Sequence, residues 1–93
     1  MTPQLLQYPD FKREFCVTTD ASKVACGAVL CQEYDGKYLP IAYASKSFTK
    51  GESSKSTIEQ ELTAIHWAAK YFRPYLYGRH FMMKTDHRPI YFL

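Results

Sequence analysis

Aromatic and β-branched residues crowd into EFCVTTD, residues 14–20, and the run stops at a polar Asp, the mark of a strand ending in a turn. Asp20-Ala21-Ser22-Lys23 supplies the turn chemistry. VACGAVLCQEY (residues 24–34) reads as a second strand, with Gly27 marking a bulge or a close backbone approach. Asp35-Gly36 separates this run from KYLPIAYAS. Asp-Gly between two such runs predicts a tight antiparallel hairpin, because both central residues must accept positive φ. Pro40 places the third strand toward a sheet edge. Residues 46–55 (KSFTKGESSK) read as a polar loop. Residues 1–13, with two prolines and no clear period, read as an extended lead-in to a domain spanning 14–93.

Ser56-Thr57-Ile58-Glu59 fits a capping box: the Ser oxygen accepts a first-turn N–H and Glu59 reaches back to the cap. Ile58, Leu62, Ile65, Ala69, Phe72 and Leu76 then recur at spacings of four and three, which predicts one apolar helix face. On this count Gln60 points outward, and Trp67 lies opposite the stripe with Tyr71 nearby. Pro74 limits the regular helix to about Arg73, and Gly78 closes the following turn. HFMMKTD is a short fourth strand. The order strand, strand, strand, helix, strand predicts an α/β domain with a mixed sheet and the helix as crossover between two of its strands.

A chain of 93 residues allows one small domain. Its 46% hydrophobic and 16% aromatic content excludes a disordered tail. No apolar run approaches a bilayer span and no signal-peptide core opens the chain, so the expectation is an intracellular protein with no membrane partner. The net charge of +3 permits a polyanionic partner without demanding one. Cys16, Cys26 and Cys31 are odd in number and lack zinc spacing, so they read as buried small hydrophobes in a reducing compartment.

Two strands end alike, since residues 15–20 and 81–86 share Phe-x-x-x-Thr-Asp. If they are parallel neighbours, Asp20 and Asp86 project together at the carboxyl edge of the sheet, where open α/β sheets bind ligands. A third carboxylate comes from the helix. Glu59 is explained by the cap, but Glu61 lies roughly 60° from the centre of the predicted stripe, where an unpaired carboxylate is costly. Three converging carboxylates with no sulfur ligand favour Mg²⁺, or Mn²⁺ in its place, and a hydrated hard cation of this kind points to phosphoryl transfer. Two such ions about 3.5–4 Å apart can activate a water and stabilise a leaving oxygen.

TTDAS, the glycine-containing strand ending AVLCQ, PIAYASKSF, STIEQELTAIHWAAKYFRPYLYGRHF and TDHRPI together resemble the ribonuclease H domain of Ty3/Gypsy-class LTR retrotransposon Pol polyproteins. The resemblance runs from about Tyr8 to the end. It implies an RNase H-like fold and endonucleolytic cutting of the RNA strand of RNA–DNA hybrids during reverse transcription. The family's catalytic, metal-holding carboxylates fall on Asp20, Glu61 and Asp86, with two Mg²⁺ ions expected. A fourth acidic or histidine residue and the C-terminal elements carrying it lie beyond the point where this chain stops, and YPDFKREF resembles the segment joining the reverse transcriptase. The resemblance therefore implies a piece of a longer polyprotein, with the reverse transcriptase and other Pol domains as partners, in cytoplasmic retrotransposon particles or the nucleus.

Ser22, His87 and Arg88 are the candidate substrate contacts beside the two aspartates; a turn role is the competing reading for Ser22 and His87. The eight tyrosines read as core and interface material rather than a base-stacking platform. An outward Trp67 predicts apolar surface that seeks a partner, a second copy included. The reading from another class is a truncated, non-catalytic scaffold or dimerisation module built on the same fold.

Overall fold

The computed structural model describes residues 4–85 and 89–92, the latter and residues 4–5 as backbone. Its strands are β1 (Gln4–Leu5), β2 (Phe15–Ala21), β3 (Ala25–Tyr34), β4 (Lys37–Ser47), β5 (Phe81–Lys84) and β6 (Pro89–Phe92). The helices are α1 (Lys50–Ser53), α2 (Thr57–Tyr71) and α3 (Arg73–Leu76). One mixed sheet runs in the order β1-β4-β3-β2-β5-β6. The four expected strands are its centre. To them the structure adds an edge strand at each end, of two residues (β1) and four (β6), and two short helices flanking α2. No helix among the described residues is long and apolar enough to cross a membrane.

Asp35 and Gly36 take φ values of 51° and 81°, so the predicted turn closes β3 onto β4 with Tyr34 opposite Lys37. The expected bulge is present but not at Gly27. Cys31 faces Pro40 and Leu30 faces Ala42, so Ile41 is the extra residue, beside the proline that cannot donate to the ladder. Ile41 carbonyl instead accepts from Leu6 and Gln7 N–H groups at 2.7 and 3.3 Å, which fastens the lead-in to this edge. A cross-strand Cβ at Gly27 would meet nothing closer than 3.6 Å, so no close approach requires this glycine.

Residues 6–13, expected to lie outside the domain, are packed against it. Gln32, fully buried, accepts from Asp10 N–H (2.9 Å) and donates to the Asp10 and Arg13 carbonyls (2.7 and 3.2 Å). Arg79 donates to Phe11 carbonyl at 2.7 Å and lies over its ring.

Crossing from β4 to β5, the helix returns the chain to the sheet so that β2 and β5 pair in parallel, Phe15 opposite Phe81 and Thr18 opposite Lys84. The capping boxes form at Ser56–Glu59, as read from the sequence, and again at Thr49–Glu52, where a plain loop was expected. The helix face differs from the predicted one. Gln60, Ala64 and Ala68 are the buried residues of α2, while Ile58 and Leu62 are 71% and 59% exposed. Small side chains let the helix lie close on β2, and the core of Phe15, Val17, Leu30, Phe72 and Met83 fills the remaining space. Gln60 is accommodated inside because its amide donates to the Glu52 and Ser53 carbonyls at 3.3 and 3.2 Å. Trp67 and Tyr71 are half-buried against the core, not outward. Cys16, Cys26 and Cys31 are free and buried, as expected. Burial, reinforced by the neighbouring Cys16, pushes the Cys31 thiol up to about 11.

Candidate active site

Along β2 the side chains alternate: Phe15, Val17 and Thr19 are buried, while Thr18 and Asp20 are exposed on the opposite face. Near the strand's carboxyl end, Thr19, Asp20 and Ala21 border a narrow cleft whose other wall is Glu61 and Ala64 of α2, with Thr85 after β5 closing it. Two of the three predicted site residues, Asp20 and Glu61, therefore line one cleft, at the sheet edge where the parallel β2–β5 pair ends. Glu61 is half-buried and Asp20 exposed. With the buried line running through Gln60, Ala64 and Ala68, Glu61 lies roughly 60° to one side of it.

The third predicted carboxylate, Asp86, follows Thr85 in the chain and lies outside the described residues, as do His87 and Arg88. Among the described residues no group of three or more His, Cys, Asp or Glu could hold a metal ion. The polar residues lining the cleft, Thr19, Asp20, Glu61 and Thr85, carry oxygen as their only side-chain polar atoms.

Ser22 is tied into the turn. Its hydroxyl donates to Ala25 carbonyl (3.2 Å) and accepts from the Val24 and Ala25 N–H groups, and its own N–H donates to Ala25 carbonyl at 2.8 Å. This fixes the loop that follows Asp20. Glu59 is consumed by the cap, where hydrogen bonds from the Ser56 hydroxyl and N–H hold its carboxyl below the ordinary value.

On its other side Asp20 faces a broad groove of about 390 Å³ across the uncovered sheet face, lined by Thr18, Ser22, Gly27, Tyr43 and Ser45. Gly27 stands directly opposite Asp20, and Ser45 opposite Gly27. The Tyr43 and Ser45 hydroxyls were not picked out from the sequence. Their signal was the alternation along β4 counted from the Asp-Gly turn, shifted by one residue at the bulge.

Residues 10–93 match the family model described as the RNase H-like domain found in reverse transcriptase. The chain is 69% identical over all 93 residues to the retrovirus-related Pol polyprotein from transposon 412 of Drosophila melanogaster, of which it covers 8%. It is 45% identical over 89 residues to the corresponding polyprotein from transposon gypsy of the same organism, covering 95% of this chain and 8% of the relative. The transposon Tf2-3 polyprotein of Schizosaccharomyces pombe is 38% identical over 91 residues, with 95% and 7% covered. The chain thus spans less than a tenth of the length of these relatives. Among solved structures, the foamy viral protease-reverse transcriptase in complex with dsDNA superimposes with a TM-score of 0.76 at 25% identity, over 86% of this chain and 16% of that one.

Proposed function

Because the chain belongs to the RNase H-like domain family of reverse transcriptases, within the Pol polyproteins of LTR retrotransposons, we propose that it is a metal-dependent endonuclease acting on the RNA strand of RNA–DNA hybrids. The observation that carries this is the shared cleft of Asp20 and Glu61 at the carboxyl edge of the sheet. Asp20 and Glu61, with Asp86 beyond Thr85, would hold two Mg²⁺ ions, or Mn²⁺ in their place. Bound there, the ions would supply activation of a water and charge stabilisation at the scissile phosphate. Two clustered carboxylates without a cation repel phosphate, so binding and cutting of a hybrid are expected to require the metal together. Asp20 and Glu61 would also be held in position by their elements: Asp20 by the β2–β3 ladder and the Ser22 turn, Glu61 by a capped helix seated on β2. The Ser22 hydroxyl is engaged in its turn, so a contribution to phosphate would come through the loop it fixes; His87 and Arg88 would add contacts beside Asp86. In the parent polyprotein the reverse transcriptase would supply the hybrid, in cytoplasmic particles or the nucleus.

Exposed Ile58 and Leu62, one turn apart on α2, support the second reading, a non-catalytic scaffold or dimerisation module. The deciding experiment follows a labelled RNA–DNA hybrid with and without Mg²⁺, using the wild-type chain and Asp20→Asn, each also sized by light scattering. Metal-dependent cutting lost in Asp20→Asn is the expected result. Cutting retained in Asp20→Asn refutes the site assignment, and a folded dimer without cleavage favours the scaffold.

A further inference from the structure

Opposite Glu61, about 60° to the other side of the buried line of α2, Trp67 opens onto a second recess. This recess has a volume of about 430 Å³ and lies between α2 and the end of β4. Its floor is aromatic. The Trp67 and Tyr71 rings lie 5.3 Å apart at 39°, and Tyr71 is braced edge-on by the fully buried Phe72 at 5.7 Å. The ledge is therefore held by the core and costs little ordering when something stacks on it. Its rim is polar: His66 and Lys70 stand one helical turn apart on the outer side, and Lys46 closes the sheet side, paired to Glu52 at 3.1 Å. Lys46 and Glu52 offset each other, which leaves the Lys70 charge uncompensated among the groups lining the recess.

An indole ledge beside separated ammonium groups suits a planar base with its phosphate, and the volume is on the scale of one small ligand. We propose that this recess is a binding site for single-stranded nucleic acid, one base stacking on Trp67 while a flanking phosphate meets Lys70. The proposal rests on the nuclease reading only for the class of ligand; the recess is lined by none of the cleft residues and needs no metal. A base within a duplex is already stacked and offers no face to Trp67, so the site selects unpaired strands, RNA or DNA alike.

Trp67 is the only tryptophan in the chain, so the whole indole signal reports this site. The test is titration of its fluorescence in EDTA with dodecamers of uridylate and of thymidylate, a blunt RNA–DNA hybrid, and polyglutamate. Saturable quenching by either dodecamer is expected, at about 10⁻⁴–10⁻⁶ M and weakening with salt. Lys70→Glu should weaken it roughly tenfold, and Trp67→Leu, followed by anisotropy of a labelled dodecamer, by a similar factor. Should Trp67→Leu fail to fold, the exposed Lys70→Glu variant still decides. Asp20→Asn should bind the dodecamers unchanged, whatever the fate of cleavage, which separates this site from the cleft. Absence of quenching, equal affinity in Lys70→Glu, preference for the hybrid, or equal quenching by polyglutamate would each overturn the proposal.

Discussion

Replacing Gln32 with Leu tests whether the lead-in is part of the domain. The side chain is fully buried in β3, and its amide makes three hydrogen bonds to the backbone of Asp10 and Arg13, at 2.9, 2.7 and 3.2 Å. Leu fills a similar volume but answers none of them. At about 1 kcal/mol net per bond, the loss is about 3 kcal/mol if residues 10–13 stay in place over unsatisfied groups. If the segment lifts instead, water satisfies Asp10 and Arg13. The Phe11 ring then leaves Phe15 and Tyr75, its partners at 5.8 and 6.5 Å, at about 0.5–1.5 kcal/mol per aromatic pair beyond the area lost. Either route costs about 2–3 kcal/mol, a large share of the roughly 5–14 kcal/mol available to a chain of this size. Urea unfolding followed by far-ultraviolet circular dichroism should show the midpoint falling by about 2 M, for a slope of about 1–1.5 kcal/mol/M. Hydrogen exchange at residues 8–13 should quicken while the β2 and β3 amides stay protected. A stability change under about 0.5 kcal/mol with unchanged exchange at Asp10 and Arg13 would refute the reasoning, because the bonds would then hold nothing.

The glycines divide by φ: Gly36→Ala, at φ 81° with open space around it, should cost about 1–2 kcal/mol in urea unfolding from backbone strain alone. Gly27→Ala, with its nearest contact at 3.6 Å, should change stability by less than about 0.5 kcal/mol. The Thr49 N–H, and after it Lys46, hold the Glu52 carboxyl below its ordinary value, so folding binds fewer protons there than the unfolded chain does. That stabilisation is present above the ordinary glutamate pKa of about 4.3 and is lost as pH falls from there through the lowered folded value. Thermal melts of Glu52→Gln across this window should show a flatter pH dependence than wild type.

Local chemistry made the hairpin, the capped helix and the Thr19-Asp20 strand end legible, because each is set by residues adjacent in sequence. What the sequence concealed was set by contacts across it. The bulge at Ile41 follows from Pro40 and from the Leu6 and Gln7 amides that use its carbonyl, and nothing near Gly27 announces it. By shifting β4 one residue against β3, it puts Tyr43 and Ser45 on the face that carries Asp20, a face that a regular ladder counted from the Asp-Gly turn would have denied them. The lead-in has no period of its own, and its order comes from Gln32, 19 and 22 residues from the atoms it binds, and Arg79, 68 residues away.

Rotation of α2 shows how a wrong face can still yield the right carboxylate. Counting the large apolar residues centres the stripe near Ile58 and Ala69, whereas the helix buries Gln60, Ala64 and Ala68. Bulk failed as a guide here because a helix lying close on a sheet wants small side chains at its line of contact; Ile58 or Leu62 in that position would push it away. Glu61 falls roughly 60° from the centre on either count, on one flank of each face. Its half-burial beside Ala64 is a consequence of that closeness: the small residue lets the first turns of α2 approach Thr19 and Ala21, and so brings Glu61 to the same cleft as Asp20. The same rotation carries Trp67 and Tyr71 inward onto the core on the opposite flank. Close seating of one helix on Ala64 and Ala68 thus shapes both the acidic cleft and the aromatic recess, and a bulky residue at either alanine should disturb the two together.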